Sequence, residues 1–287
     1  MSRVVYVNGR YVPYAHAAIH AEDRGFQFAD SVYEVIEVLG GRLVDAARHM
    51  ARLERSLSEL KIAPPMGQAA LAQVIARTIY LNHVRNGTVY LQVSRGAGPR
   101  DFARPPAGTP PTLVVIARSQ SRTKIEAQAK SGIGVITVPD IRWGRSDIKT
   151  VMLLPACLAK DAAKSQGARE AWLLDSDGHV TEGASSNAWI VTADGTLVTR
   201  PLSHRILAGV TRATTIDVAK REGFQFAERA FTVAEAYGAA EAFITSATNT
   251  VMPVVWIDDH AIGNGRPGPL TLRLRARFHD VAAISPK

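Results

Sequence analysis

The sequence predicts an α+β fold in two domains, and three observations lead to that prediction. The chain has 287 residues, which suits two domains at ~150 residues per domain. Hydrophobic residues make up 46% and charged residues 21% of the chain, a composition typical of globular proteins with a full core. Strand-like and helix-like hydrophobic patterns alternate along the sequence. An ordered body of the chain is therefore expected.

The amino-terminal half begins with two predicted strand pairs. Residues 4–7 and 10–12 are β-rich and flank an Asn-Gly dipeptide at 8–9. Asn-Gly suits a tight hairpin turn because both central positions require positive φ. A second pair of strands is predicted at 31–38 and 42–44, around two consecutive glycines.

Two helices and two further strands complete the predicted first half. One helix follows from apolar residues that recur at helical spacing, at Met50, Leu53, Leu57 and Leu60. A second helix is predicted over about 67–84, with strands at 89–93 and 113–117. Residues 96–111 contain too many prolines and glycines for regular structure, so they are predicted to form a loop.

The carboxyl-terminal half is predicted to alternate strands and helices. Strands are expected at 133–138, 170–175, 186–191, 241–246 and 252–257. Helices are expected at 153–166, 209–222 and 267–283. The polar stretch 119–125 lacks periodicity and is predicted to be a linker. The sequence therefore predicts domains at 1–118 and 126–287.

The charge distribution limits the classes of partner. The net charge is +8, from 34 basic and 26 acidic residues, but the basic residues are scattered and form no long block. The sequence contains no recognisable nucleic-acid motif and no zinc-ligand spacing. We therefore expect neither nucleic acid nor a metal, and an anion-binding small-molecule site or a merely basic surface fits the charge.

The single cysteine and the apolar runs predict the compartment. Cys157 alone cannot form an intrachain disulfide and indicates a reducing compartment. It shares a short apolar stripe with Leu154, Leu158 and Ala162, which predicts buried packing for the thiol. The amino end lacks the apolar run of a signal peptide, and no stretch approaches ~20 apolar residues. A cytoplasmic protein without membrane spans is the expectation.

Four separated segments contain residues suited to chemistry. They are 142–150, which includes Lys149, and 181–187, 206–212 and 245–249. Taken singly, they read as a surface lysine, a turn before a strand, a helix start and a loop of small residues. A helix start can also bind an anion through its unpaired N–H groups.

In this order the four segments resemble the fold-type IV pyridoxal-phosphate enzymes. These enzymes include D-amino-acid and branched-chain aminotransferases and aminodeoxychorismate lyase. The most specific feature is Thr-Glu-Gly-x-Ser-Ser-Asn at 181–187, downstream of Asp-Ile-Lys at 147–149. The resemblance extends from the hairpin at 8–9 to Pro253. It implies a two-domain architecture with pyridoxal 5'-phosphate (PLP) between the domains, and a homodimer.

The resemblance also implies roles for individual residues. Lys149 would hold the cofactor as a Schiff base and move the α-proton. Glu182 would partner the pyridine nitrogen and keep it protonated. Arg52 would bind the phosphate, because a guanidinium can grip an anion with two N–H groups. The remaining cofactor contacts would be Leu207 against the ring and, at the phosphate, Val210, Thr211, Ser246 and Ala247. Ala247 stands where a threonine is often found and offers only a main-chain donor.

Two stretches resemble the D-amino-acid branch, at 26–35 and at 90–100. In that branch a tyrosine matching Tyr33 and an arginine matching Arg100 help to hold the substrate α-carboxylate. Ser185 is also expected on the substrate side. The interpretation is a D-amino-acid transaminase, which passes the amino group of a D-amino acid such as D-alanine to a 2-keto acid by a ping-pong mechanism.

The sequence departs from that branch at Phe102. The usual pattern after the arginine is Arg-x-His, whereas this chain reads Arg-Asp-Phe at 100–102. The chain thereby lacks one hydrogen-bond donor to the substrate carboxylate, which leaves room for (R)-selective amine transamination. A branched-chain aminotransferase and a lyase of the aminodeoxychorismate type are further alternatives, the lyase being disfavoured by the Tyr33–Arg100 pair. A non-catalytic basic binding protein is the alternative from another class.

Overall fold

The computed structural model describes residues 3–285. The chain forms two compact units, and each unit contains segments that are distant in sequence. Of the described residues, the first unit comprises 3–121, Ile148–Met152 and 283–285, and the second comprises Arg122–Asp147 and Leu153–Ala282. Each unit has its own sheet and its own helices.

The first unit is built on an antiparallel sheet. Its strands are β1 (Val4–Val7), β2 (Arg10–Pro13), β3 (Ser31–Leu39), β4 (Arg42–Leu43), β5 (Gly87–Ser94) and β6 (Thr112–Ser119), in the order β2-β1-β6-β5-β3-β4. Its helices are α1 (Arg24–Phe28), α2 (Ala46–Leu60) and α3 (Gln68–Leu81), with a 3-10 turn at Tyr14–His16. The predicted hairpin is confirmed, because Asn8 and Gly9 have φ angles of 42° and 90° between the paired β1 and β2.

The second unit is built on a mixed sheet. Its strands are β7 (Ile133–Pro139), β8 (Glu170–Leu174), β9 (Val180–Gly183), β10 (Asn187–Val191), β11 (Leu197–Thr199), β12 (Phe226–Glu228), β13 (Glu241–Ser246), β14 (Thr250–Ile257) and β15 (His260–Ala261). Strand β7 runs parallel to β8 and β14, and β11 runs parallel to β12. Its helices are α4 (Arg122–Ser131), α5 (Leu154–Ser165), α6 (Val210–Arg221), α7 (Val233–Tyr237) and α8 (Pro269–Val281). The core contains Trp172, Trp189, Phe231 and Phe243, each fully buried.

Most predicted elements are found with small shifts at their ends. The predicted strands of the second half correspond to β7, β8, β10, β13 and β14, and the predicted helices to α5, α6 and α8. The sequence missed the short elements β9, β11, β12 and α7, because three to five residues are too few to show a period. Among residues 3–285 no helix is long and apolar enough to cross a membrane; α2, for example, has 15 residues.

The compact units differ from the predicted domains in two respects. Helix α4 begins inside the predicted linker. The sequence did not predict this helix because only Ala129 and, in part, Ile125 pack against the core, which leaves a weak apolar pattern. The segment Ile148–Met152 joins the first unit because its backbone pairs with β3. Tyr33 N donates to Lys149 O at 3.0 Å, and Val151 N donates to Ser31 O at 3.1 Å.

The prediction of a buried Cys157 is wrong. The thiol is exposed, and its neighbours Leu154 and Leu158 are 69% and 53% exposed. The face of α5 that packs inward consists of alanines, at Ala156, Ala159 and Ala163. Ala159 and Ala163 join Ile136, Ala171 and Leu173 in a buried cluster. Small side chains let the helix approach the sheet closely, so the larger apolar residues lie on the outer face.

Candidate active site

Lys149 lies beside Tyr33 in the first unit. The backbone pairing with β3 places Lys149 between the buried residues Ile148 and Thr150. Its Nζ lies 4.2 Å from the centroid of the Tyr33 ring, a distance typical of a cation–π contact. Its backbone N–H donates to Ser56 Oγ of α2 at 3.4 Å. The lysine is therefore held at both its backbone and its side chain.

Glu34, His49 and Arg52 form a buried charged cluster in the same unit. His49 and Arg52 lie three residues apart on one face of α2, where their side chains are neighbours. Arg52 Nε donates to Glu34 Oε1 at 2.7 Å, and Arg52 Nη2 donates to Glu34 Oε2 at 2.7 Å. His49 Nδ1 lies 2.7 Å from Glu34 Oε2. The carboxylate thus holds the guanidinium in one orientation.

The charges of the cluster decide its protonation states. Burial on its own would raise the pKa of Glu34. The charge of Arg52 and the hydrogen bonds from Arg52 and His49 outweigh burial and lower that pKa to about 2. For His49, burial and the neighbouring cations outweigh the effect of Glu34 and lower the pKa of the imidazole. A guanidinium has five N–H donors, so Arg52 is suited to bind an anion while it remains paired with Glu34.

Arg100 and Phe102 lie in the loop of the first unit, next to aromatic rings. The Arg100 guanidinium carbon lies 5.4 Å from the Phe28 centroid and 5.7 Å from the Phe102 centroid. Phe102 is 83% exposed. Arg24 of α1 anchors the loop by donating from Nη1 to Asp101 O at 2.6 Å. The contacts of Tyr33 are instead with Lys149 and with Tyr90, whose ring lies 5.6 Å away.

Glu182 is a buried carboxylate of the second unit that accepts hydrogen bonds from three residues. Arg142 Nη1 donates to its Oε1 at 2.5 Å, and Asn187 Nδ2 donates to its Oε2 at 2.9 Å. Leu207 N donates to both oxygens, at 3.1 and 3.2 Å. Arg142 also pairs with Asp140 at 2.8 Å. Burial opposes the charge of Arg142, but the two carboxylates raise the pKa of its guanidinium. Glu182 is therefore buried among donors that favour its charged form.

Leu207 contributes its backbone to this arrangement. Besides the N–H donated to Glu182, its carbonyl accepts from Asn187 Nδ2 at 3.0 Å. Gly209 follows, and a Cβ at Gly209 would lie 2.0 Å from Asn187 Oδ1, so the close approach requires glycine. Helix α6 begins at Val210, and both Val210 and Thr211 are buried. The first N–H groups of a helix precede its hydrogen-bond ladder, which makes this end suited to an anion.

Ser246 and Ala247 lie where β13 turns into β14. Ser246 pairs with Thr250 at the end of the hairpin. The Ser246 hydroxyl lies 3.2 Å from the hydroxyl of Thr248. Thr248 therefore brings a second hydroxyl to this turn, next to Ala247, which has none.

Ser185 is exposed, and its hydroxyl is already bonded. Its Oγ donates to Glu170 Oε2 at 2.6 Å. Ser186 Oγ donates to the same oxygen at 3.1 Å. A substrate contact through the Ser185 hydroxyl would therefore compete with the bond to Glu170.

The comparison with known proteins decides the family. Residues 31–257 match the family described as amino-transferase class IV. The chain belongs to this family. As a class IV aminotransferase, it carries all the sequence-predicted site residues, from Tyr33 to Ala247, within the matched range.

Relatives and solved structures extend the match over nearly the whole class IV chain. It is 39% identical to the D-alanine aminotransferase of Bacillus licheniformis over 276 residues, 96% of each protein. It is 35% identical to that of Staphylococcus haemolyticus, again over 96% of each. The T.th. branched-chain amino acid aminotransferase, solved with pyridoxamine 5'-phosphate, has a TM-score of 0.89 at 27% identity, covering 98% of this chain and 94% of that one. The predicted α+β, fold-type IV architecture is confirmed.

The sequence missed several residues of these clusters. They are Glu34, His49, Arg142, Asn187 and Thr248. For Glu34 a signal was available, because in β3 the buried positions alternate and Glu34 occupies one of them among aliphatic residues. For Arg142 no local signal existed, since its partner Glu182 lies 40 residues away.

Proposed function

We propose that this chain is a PLP-dependent D-amino-acid transaminase, which passes the amino group of a D-amino acid such as D-alanine to a 2-keto acid by a ping-pong mechanism. The observation that carries the proposal is 39% identity with a D-alanine aminotransferase over 96% of both proteins. A solved relative contains pyridoxamine 5'-phosphate, which supports the choice of cofactor.

The donor sets in the two units fit the chemical groups of PLP. Arg52, oriented by Glu34, supplies a fixed cation for the phosphate, and the turn and helix start supply further donors at Val210, Thr211, Ser246 and Ala247. Glu182 is a carboxylate kept in place by Arg142, Asn187 and Leu207, as a partner of a protonated pyridine nitrogen must be. Leu207 would contact the ring through its side chain.

Each of these residues then has a distinct task. PLP, when bound, supplies an electron sink for the pair of electrons released at the substrate Cα. Lys149 would hold the cofactor through its amine, and once the substrate amine has displaced that amine, it would be free to take the Cα proton. Glu182 stabilises the proton on the ring nitrogen, because a nearby negative charge favours the charged form. Tyr33, whose ring lies beside Lys149, would help to position the substrate.

The substrate carboxylate would be bound by Tyr33 and Arg100, with Ser185 also on the substrate side. Phe102 distinguishes this chain, because it places an exposed ring 5.6 Å from Phe28 where the branch has a histidine donor. This aromatic pair favours a second candidate activity, the transamination of (R)-amines that lack a carboxylate.

An initial-rate profile tests the proposal. D-alanine, D-glutamate, L-leucine and (R)-1-phenylethylamine are each offered with pyruvate or 2-oxoglutarate, leaving out the pairs that regenerate their own substrates. The highest kcat/KM is expected with D-amino acids, and slower turnover with the amine. Preference for L-leucine would indicate a branched-chain aminotransferase. Pyruvate release from aminodeoxychorismate without a keto-acid acceptor would indicate the lyase.

The active form is proposed to be a homodimer in the cytoplasm. The resemblance to the fold-type IV enzymes implies the dimer, and the single cysteine supports a reducing compartment. Sedimentation equilibrium at micromolar concentration should give twice the 31.0 kDa mass of one chain. A concentration-independent monomer would contradict the assembly.

A further inference from the structure

The hairpin between β13 and β14 contains a strained residue. Thr250 has a φ of 55°, in the left-handed region that β-branched residues rarely adopt. It is paired with Ser246 at the end of the hairpin, so its backbone direction helps to set the turn of residues 247–249. Such a conformation persists only where the surrounding structure enforces it, and it concentrates at functional sites.

Arg275 of α8 contacts this strained residue and both of its neighbours. Its Nη1 lies within hydrogen-bond distance of Asn249 O (2.7 Å), Thr250 Oγ1 (3.0 Å) and Val251 O (2.6 Å), so its two N–H groups are shared among three acceptors. One nitrogen thus bonds three consecutive residues of the hairpin. The Arg275 side chain is 9% exposed, so these bonds are shielded from water.

The opposite edge of the guanidinium is held by Glu126 of α4. Arg275 Nη2 donates to Glu126 Oε1 at 2.9 Å, and Arg275 Nε donates to Glu126 Oε2 at 3.2 Å. This fork geometry is specific to arginine, since a lysine ammonium is a point charge. Arg275 is therefore fixed from α4 on one side and grips the hairpin on the other.

We propose that Arg275 is a positioning residue for phosphate binding. It holds the turn after β13 so that the donors of Ser246 and Ala247, with the Thr248 hydroxyl, are already directed before the cofactor arrives. Donors fixed in advance bind an anion more tightly because no ordering has to accompany binding. This inference rests on the proposed function, because it assumes that this turn binds the PLP phosphate.

The test compares a cofactor that has the phosphate with one that lacks it. Dissociation constants of the apoprotein are measured for PLP and for pyridoxal, in wild type and in Arg275→Lys. The variant should bind PLP about tenfold or more weakly, while its affinity for pyridoxal changes less than about twofold. An equal loss for both compounds would reduce Arg275 to a structural role, and unchanged PLP affinity would also overturn the proposal.

A matched control and a second variant accompany this test. Arg273→Lys alters an arginine on the same helix that is 57% exposed and pairs with Glu222, and both affinities should stay at wild-type values. If Arg275→Lys does not fold, Glu126→Gln loosens the guanidinium without touching the hairpin. It should show the same selective loss to a smaller degree, and equal changes for both compounds would again overturn the proposal.

A rescue experiment separates strain from general damage. Asparagine tolerates the left-handed region better than threonine, so Thr250→Asn in the Arg275→Lys background should recover part of the lost PLP affinity. No recovery would contradict the role of Arg275 in holding Thr250. A wild-type apoprotein that binds PLP no better than pyridoxal would instead contradict the proposed phosphate site, and with it the proposed function.

Discussion

The Glu34 carboxylate binds the Arg52 guanidinium through two hydrogen bonds of 2.7 Å, one to each of its oxygens. His49 contacts the same carboxylate, and the Glu34 side chain is 0% exposed. A carboxylate so placed has no water to replace a lost partner, so removing either charge leaves the other buried and uncompensated. The pair links the stability of the first unit to the orientation of the proposed phosphate ligand.

The first prediction concerns acid stability. The pKa of Glu34 falls from 4.5 to about 2, so its ionised form stabilises the folded state above pH ~4.5. That stabilisation should be lost as the pH falls from about 4.5 to about 2, because protonation of Glu34 then removes its ion pair with Arg52. The difference between the two pKa values of Glu34 corresponds to roughly 3 kcal/mol in the free energy of unfolding.

The measurement is the free energy of unfolding in urea at a series of pH values. Glu34→Gln should be less stable at neutral pH and should lose less stability below pH ~4.5. Glu37→Gln, at a partly exposed position of the same strand, serves as the control. Equal pH dependence of the Glu34→Gln variant and the wild type would show that Glu34 does not carry the effect.

The second prediction concerns Glu182. Glu182→Gln removes the charge, and its amide NH₂ must face a donor, because both carboxylate oxygens accept hydrogen bonds from the chain. We expect kcat to fall ~10²-fold or more, equivalent to roughly 3 kcal/mol of transition-state stabilisation, while the cofactor stays bound. Steady-state kinetics and absorbance of the bound cofactor measure the two quantities. A variant with near-normal kcat would exclude Glu182 as the partner of the ring nitrogen.

The third prediction concerns the attachment of the cofactor. The purified protein should be yellow, and borohydride should fix the chromophore covalently to Lys149, which lies against Tyr33. Peptide mapping by mass spectrometry locates the label. Lys160, which is bonded to the backbone of Arg169, provides an internal control that should stay unlabelled. A label on any lysine other than Lys149 would end the assignment.

The fourth prediction concerns substrate choice. Phe102→His restores a donor, and each charge-assisted bond contributes roughly 1.5–3 kcal/mol. The ratio of kcat/KM for D-alanine to that for (R)-1-phenylethylamine should therefore rise about tenfold or more. Arg100→Ala should lower the same ratio, and Arg104→Ala, an exposed loop arginine, should leave it unchanged. If Arg100→Ala does not affect D-alanine, another residue binds the carboxylate.

The fifth prediction concerns Cys157. Because the thiol is exposed, a thiol reagent should modify it in the folded protein at a rate close to that after unfolding. Cys157→Ser should change the free energy of unfolding by no more than about 0.5 kcal/mol, as is usual for surface substitutions. Modification only after unfolding would show that this face of α5 is covered in solution.

The sequence by itself determined the longer, periodic elements and the family. Hairpin turns and long periodic strands and helices depend on residues close together in the chain. The sequence therefore predicted the Asn8-Gly9 turn and the elements β3, β5, α2 and α6. The family resemblance likewise depends only on the sequence, because it rests on the order of the segments 147–149 and 181–187. Elements without a period, such as α4, were missed because few of their side chains reach the core.

Only the tertiary structure decided which charged groups meet. Glu34 is 18 residues from Arg52 in the sequence, and Arg142 is 40 residues from Glu182. Arg275 forms hydrogen bonds with a hairpin some 25 residues earlier. Nor did local pattern show that Lys149 would pair with β3, or that α5 would turn its alanines inward and leave Cys157 exposed. Hydrophobic spacing specifies that a face is buried, whereas the partner of a buried charge depends on backbone segments brought together by the whole fold.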